Sequence, residues 1–379
     1  MRIYLDHNAT TPVRPEVVDA MAAALRESWG NPSSTHAEGA AARAALERAR
    51  EQVAELLGAE PREVLFTSGA TEANNTVLRG VLATSRGRHV VSTTVEHPSV
   101  AEPLRALEAE GVAVSYVPVD PEGRLDPAAV AAALREDTAL LSVILANNET
   151  GVLQDAAKLA ELAHARGVPL HLDATQAVGK LPLDRIALGA DLLVGSAHKL
   201  NGPKGAGFLI GPTRSPLPAL VQGGPQERRR RGGTENVAGI VGLGVACALA
   251  RSELAERERH VAQLRDALWR GIESRVPRVR RNGSHAHVLP NTLSVEFEGA
   301  AGEVLLEALD LEGVAVSAGA ACHSGSIEPS SVLLAMGRSE AQARGSLRFS
   351  FGPANTSVEL ARVLELLPGL VARVRAAGA

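Results

Sequence analysis

The chain has 379 residues, 45% of them hydrophobic and 22% charged, with a formal net charge of −4. This suits roughly two to three domains with a substantial core, and the acidic balance and 2% aromatic content argue against a nucleic-acid surface or a base-stacking platform. No run of about 18 apolar residues marks a membrane span, no basic-then-apolar leader is visible, and two cysteines, Cys247 and Cys322, suit a reducing cytoplasm better than a disulfide framework.

In chain order, "HAEGAAARAALERAREQVAELL" (36–57) predicts an amphipathic helix stopped by Gly58. A β-rich run at 64–68 leads through Gly69-Ala70 into a helix from Thr71. Strand-like runs follow at 89–97, 112–120, 139–147, 169–176, 191–199 and 205–211, with helices near 98–110, 126–136 and 155–166. Near-continuous apolar runs alternating with helices predict a parallel sheet covered on both faces. After about residue 257 the texture changes. A charged helix (252–276) precedes strand-like runs at 291–297, 314–319 and 346–352 and a closing helix from about 357. This reads as a smaller α/β unit packed beside the first.

Ligands of an open parallel sheet bind at the carboxyl ends of its strands. The residues there are Ser68-Gly69-Ala70-Thr71, Glu96-His97, Asn147-Asn148-Glu149, Asp173-Ala174-Thr175-Gln176 and Ser196-Ala197-His198-Lys199. The stretch "TSGATEANN" offers free backbone N–H groups and a helix dipole to an anion, although Thr71 also reads as a simple helix cap. Lysine is scarce. Lys158, Lys180, Lys199 and Lys204 are the four, and the other 35 of 39 basic residues are arginine. A desolvated lysine can lose its proton and act as a nucleophile, whereas arginine stays charged. Asp173 ends a buried strand, and a buried carboxylate is costly unless paired. A carboxylate for a pyridinium and a lysine for a Schiff base are the two groups that pyridoxal phosphate (PLP) requires. His97 could stack on that ring or simply start the helix before Pro98.

The ordered motifs "YLDHNATTP", "FTSGATEANN", "VEHPSV", "NNETGVLQD", "LDATQAVGK" and "SAHKLNGPKG" together resemble the class V aminotransferases of the fold-type I PLP enzymes, and most closely the cysteine desulfurases of the NifS/IscS type. The resemblance runs from residue 3 to about residue 353. It implies an α/β fold with a large PLP-binding domain over 15–257, built on a mainly parallel seven-stranded sheet covered by helices. Residues 1–14 and 258–379 would form a smaller α/β domain. Lys199 would carry the cofactor, and Lys204 would be structural or on the surface. Asp173 would bind the pyridine nitrogen and Gln176 the ring hydroxyl. Thr71, Ser196, His198 and the backbone N–H of Ala70 would bind the phosphate. His97 would stack on the ring and move protons, while Asn148 and Arg348 would hold the substrate carboxylate. Thr234, in "RRGGTENV", would reach the phosphate of a neighbouring subunit in a homodimer. The run Arg228 to Arg231 then reads as a solvated loop at the dimer edge.

Cys247 sits in an apolar helical pattern and reads as a small buried hydrophobe. Cys322, in "SAGAACHSGSIEPS", would attack the sulfur of L-cysteine and leave alanine and a persulfide. His97 or His323 would favour its thiolate. The resemblance also implies a sulfur-acceptor protein such as an iron–sulfur scaffold, with no membrane and no direct nucleic-acid partner. One departure stands out. The NifS/IscS loop usually reads Ser-Ala-Cys followed by Ser or Thr, and here it is Ala320-Ala321-Cys322-His323. "AACHS" with "ANNETG" also resembles selenocysteine lyases, which makes selenocysteine the alternative substrate.

Overall fold

The computed structural model describes residues 2–213, 217–318 and 328–378. Strand β1 (Ile3–Tyr4) opens the chain outside the large sheet. The next seven strands are β2 (Val64–Thr67), β3 (His89–Thr93), β4 (Ala113–Val117), β5 (Thr138–Ile144), β6 (Leu170–Asp173), β7 (Leu192–Ser196) and β8 (Gly207–Ile210). They form one sheet in the order β2-β8-β7-β6-β5-β3-β4. The pairs from β4 through β3, β5 and β6 to β7 are parallel, and β8 runs antiparallel to both β7 and β2. Every residue of β5 and β7 is buried, which is why both read as unbroken apolar runs rather than alternating ones. The expected α/β class and mainly parallel seven-stranded sheet are borne out.

The run expected as strand over 89–97 leaves the sheet after Thr93. Glu96 Oε1 accepts from Thr93 Oγ1 at 2.7 Å and from the Ile144 N–H at 2.9 Å. That side chain takes the place of the ladder partner and turns the chain into the helix Pro98–Ala109. The helix Pro15–Glu27 has no counterpart in the sequence reading. It buries only Val17 and Ala24, so its apolar stripe is too thin to stand out.

Beyond the sheet lies a second layer. It holds β9 (Val279–Arg281), β10 (Thr292–Phe297), β11 (Val314–Ala315) and β12 (Ser346–Ser350). The order β12-β10-β9 is antiparallel, and β1 pairs in parallel with β11. Ile3 and Leu5 therefore share a core with Leu268, Phe297, Phe349 and Leu367. One helix, Val237–Arg275, serves both cores. Ile240, Leu243 and Cys247 pack under the large sheet, whereas Leu264, Leu268 and Ile272 pack in the second layer. Its apolar first half is long enough by composition to cross a membrane, but that half packs inside the first core. The apolar helical pattern around Cys247 and the charged helix expected from 252 are one continuous helix, whose glycines permit close approach. A Cβ on Gly244 would lie 2.6 Å from Ala49 Cα. Cys247 is fully buried, and desolvation pushes its thiol pKa up, in keeping with a packing role.

The arginine run departs from a solvated loop. Arg230 is buried, and Arg231 binds both oxygens of Glu72 at 3.0 and 3.3 Å. The cause lies one residue earlier. Glu227, 8% exposed, accepts from Arg50 at 2.7 and 3.0 Å and from the Phe66 N–H at 3.0 Å. Glu227, Arg228 and Arg229 all take positive φ, at 46°, 58° and 65°, which costs on the order of 1–2 kcal/mol per residue. The buried ion pair holds that turn in place. Glu227→Ala, which strands the Arg50 charge, is expected to cost about 3–5 kcal/mol, read as a lower urea midpoint at unchanged slope. A loss under about 1 kcal/mol, the size of a surface pair, would contradict this reading.

Candidate active site

The carboxyl ends of β3, β5, β6 and β7 converge on one rim, and a cavity of about 640 Å³ opens there. One wall is the turn from β2 into the helix Ala70–Thr84. β8 passes directly beneath it, and a Cβ on Gly207 would lie 2.6 Å from Gly69 Cα. Only glycine allows this approach. Gly69 is the N-cap, without a side-chain cap, so Thr71 is free of the capping role that its position allowed. Ala70 and Thr71 line the cavity together with Ser196 and His198. First-turn N–H groups have no partner within their helix, and here they border the cavity beside two side-chain donors.

Asp173 ends β6 at 4% exposure. Its Oδ2 accepts from Asn74 Nδ2 at 2.9 Å and its Oδ1 from the Thr175 N–H at 3.0 Å. The same Asn74 amide donates to Ser99 Oγ at 2.9 Å. Ser99 meets His97 Nδ1 twice, through its N–H at 3.0 Å and its Oγ at 2.8 Å. His97 therefore caps its helix and lines the cavity at once, realising both readings of that residue. Because Nδ1 accepts the Ser99 N–H, the neutral ring carries its proton on Nε2. Burial lowers its pKa, opposed by Asp173.

Lys199 follows β7 on a short 3-10 turn. Its Nζ donates to the carbonyls of Asn8 at 2.5 Å and Ala9 at 2.8 Å. The Asn8 carbonyl also accepts from Gln176 Nε2 at 2.9 Å. Burial, aided by Arg348, lowers the Lys199 pKa to about 8 against the pull of Asp6 and Asp173. A substantial fraction of this amine is thus neutral near physiological pH, as a nucleophile requires. Lys204 is exposed at the cavity mouth.

Arg348 lies on β12, on the far wall. Its Nη1 donates to the Asn148 carbonyl at 2.8 Å and its Nη2 to Asp6 Oδ1 at 2.7 Å. Its Nε is buried and has no hydrogen-bond partner among the described residues. Asn148 lines the same wall. Glu149 accepts from Ser330 Oγ, and burial raises its pKa to about 7. Thr234 does not line this cavity. It faces an adjoining hollow of about 280 Å³ that shares Ser68 and Gly205 with it. Cys322 and His323 lie outside the described residues.

Ten of the expected residues thus border one cavity. The sequence reading assigned no role to Asp6, Asn8, Asn74, Ser99 or Lys180. The quoted stretch "YLDHNATTP" was the available signal for the first two. The donor set fits PLP. A helix N-terminus with Ser196 and His198 suits a phosphate, the buried Asp173 suits a pyridinium, and a deprotonating Lys199 suits an aldehyde. Arg348 is left for a substrate carboxylate.

Residues 3–363 match the Aminotransferase class-V family. A cysteine desulfurase from Cereibacter sphaeroides is 48% identical over 378 residues, covering 99% of this chain and 97% of that one. A solved NifS-like protein superposes with a TM-score of 0.93 at 36% identity, over 98% of this chain and 100% of that one. A structure described as SspA in complex with cysteine gives a TM-score of 0.83 at 33% identity, over 94% and 100%. Fold, cavity and full-length similarity agree, and the protein belongs to the PLP-dependent class-V aminotransferase family, among the cysteine desulfurases.

Proposed function

We propose that this protein is a homodimeric, cytoplasmic, PLP-dependent cysteine desulfurase that converts L-cysteine to L-alanine and takes the sulfur onto Cys322. The observation that carries the reading is the convergence of Lys199, Asp173 and Arg348 on one cavity, an amine, a buried acid and a carboxylate-binding cation. The domains follow the split of the core, 15–257 around the large sheet, with 1–14 and 258–379 in the second layer. The grouping of Ile3 and Leu5 with Phe349 and Leu367 supports this. Thr234, outside its own chain's cavity, is free to serve the site of a second copy.

When bound, the cofactor supplies an electron-withdrawing ring that makes the substrate α-proton acidic. Asp173 holds a proton at the ring nitrogen, and Gln176 offers an N–H to the ring oxygen. Thr71, Ser196, His198 and the Ala70 N–H hold the phosphate. Arg348, which borders the cavity beside Asn148, would with it fix the substrate carboxylate. The Lys199 amine would take the α-proton and return one to the substrate carbon. His97 packs on the ring and moves protons through Nε2. The Cys322 thiolate attacks the substrate sulfur. The carbon–sulfur bond breaks, a sulfur–sulfur bond forms, and the carbon gains a proton. The carbon is reduced as the sulfur is oxidised, so no outside oxidant is needed. Cys322 follows Ser317, a cavity-lining residue, by five positions, which supports its assignment. The persulfide would pass to an acceptor protein such as an iron–sulfur scaffold.

Alanine formation from L-cysteine under reductant should fall by about 100-fold or more in Cys322→Ala. No alanine from the parent, with alanine from L-selenocysteine instead, would replace cysteine by selenocysteine as the substrate. A second expectation follows from Lys199. Its ordinary pKa near 10.5 is lowered to about 8, so the amine is protonated and inert below that value and free above it. The rate at which apo-protein captures PLP should therefore rise with pH through a midpoint near 8. A rate still climbing at the pH of ordinary lysine titration would show that Lys199 is not desolvated.

A further inference from the structure

Lys180 has no part in the chemistry above, yet its amine donates to Gln176 Oε1 at 2.7 Å and to Asn8 Oδ1 at 3.0 Å. Around it stand Lys199, Arg348, His7 and His198, with Arg257 and Glu258 on the small hollow it borders. Among the described residues no carboxylate forms an ion pair with it, and burial with Lys199 and Arg348 pushes its pKa well down. An amine in such a place is costly. Its local consequence is orientation.

Gln176 has two ends, and both are fixed. Oε1 accepts from Lys180, and Nε2 donates to the Asn8 carbonyl at 2.9 Å. Turning the amide over would set its oxygen against the Asn8 carbonyl oxygen and give up the bond that the Lys180 amine donates to it. The allowed orientation leaves the second N–H of Nε2 for an oxygen in the cavity that Gln176 lines. Asn8 in turn cannot flip, because its Nδ2 donates to Thr292 Oγ1 at 2.9 Å and its Oδ1 also accepts from Asn291 Nδ2 at 3.1 Å. We propose that Lys180 is a positioning residue that locks the Gln176 amide as a hydrogen-bond donor to the ring oxygen of PLP, an inference that rests on the cofactor reading above.

The test is a double-mutant cycle read by the visible absorbance of the Lys199-bound cofactor against pH. A donor to the ring oxygen favours its anionic form and lowers the chromophore's apparent pKa. Lys180→Met should raise that pKa by about one unit, and Lys180→Arg, which keeps a donor, should restore most of the difference. Starting from Gln176→Ala, the added Lys180→Met should move it by less than about 0.3 units, because the two side chains act as one. Equal shifts in both backgrounds would overturn the proposal. Should Lys180→Met not unfold cooperatively, Lys180→Ala, which only enlarges the adjoining hollow, takes its place in the cycle. A parent protein that binds PLP without any visible band would refute the cofactor reading itself, and with it this inference.

Discussion

The backbone carbonyl of Asn8 ties the N-terminal segment to Lys199. It accepts from Lys199 Nζ and from Gln176 Nε2, two donors from different loops of the large sheet. The segment that carries it is clamped on both sides. On one side the Ser350 N–H reaches the Leu5 carbonyl and the Asn8 N–H reaches Ser350 Oγ. On the other, Thr11 donates twice to the His198 carbonyl at 2.9 Å and accepts from the Asn201 N–H at 2.8 Å. The position of Lys199 is thus set by residues almost two hundred positions away. The second layer, which pairs with β1, is coupled to it through the same strip of chain.

The electrostatics of the cavity follow from this packing. Burial lowers the pKa of both lysines, and the nearby charges act in the same direction, Lys199 and Arg348 on Lys180 and Arg348 on Lys199. Helix-end N–H groups stand across the cavity. The acids lie at separate points: Asp173 ends β6, Glu72 on the wall pairs with Arg231, and Asp6 stands behind Arg348. The result is a chamber that attracts anionic groups at two ends while keeping an amine between them near neutrality. That is the arrangement needed for a phosphate, a carboxylate and an aldehyde handled together. Asp6 holds Arg348 Nη2 and the Asn148 carbonyl holds Nη1, which fixes the guanidinium on the cavity wall.

Much of this was legible in the sequence. Buried parallel strands announce themselves as unbroken apolar runs, so β5, β6 and β7 were located to within a few residues, and their last residues pointed to Asp173 and Lys199. Side chains that terminate strands were harder to read. Nothing in "TTVEHP" says that Glu96 turns back to cap β5, because that bond joins residues 48 positions apart. In the helix Val237–Arg275 glycine marks close packing against Ala49 and not a break. The arginine run misled: Glu227 stands beside it, but Arg50, which pairs with that buried glutamate, and Glu72, which holds Arg231, are distant in sequence. Positioning residues such as Asn8, Asn74 and Lys180 act through contacts that no local pattern encodes.

The central claim is that Lys199, and neither Lys180 nor Lys204, is the amine that carries the cofactor. Borohydride reduction of the PLP-loaded protein fixes the cofactor to the lysine holding it, and peptide mapping then reads the position. The structure predicts that the label falls on the peptide containing Lys199, with Lys180 and Lys204 unmodified. A label on Lys180 or Lys204 would contradict the assignment of the site.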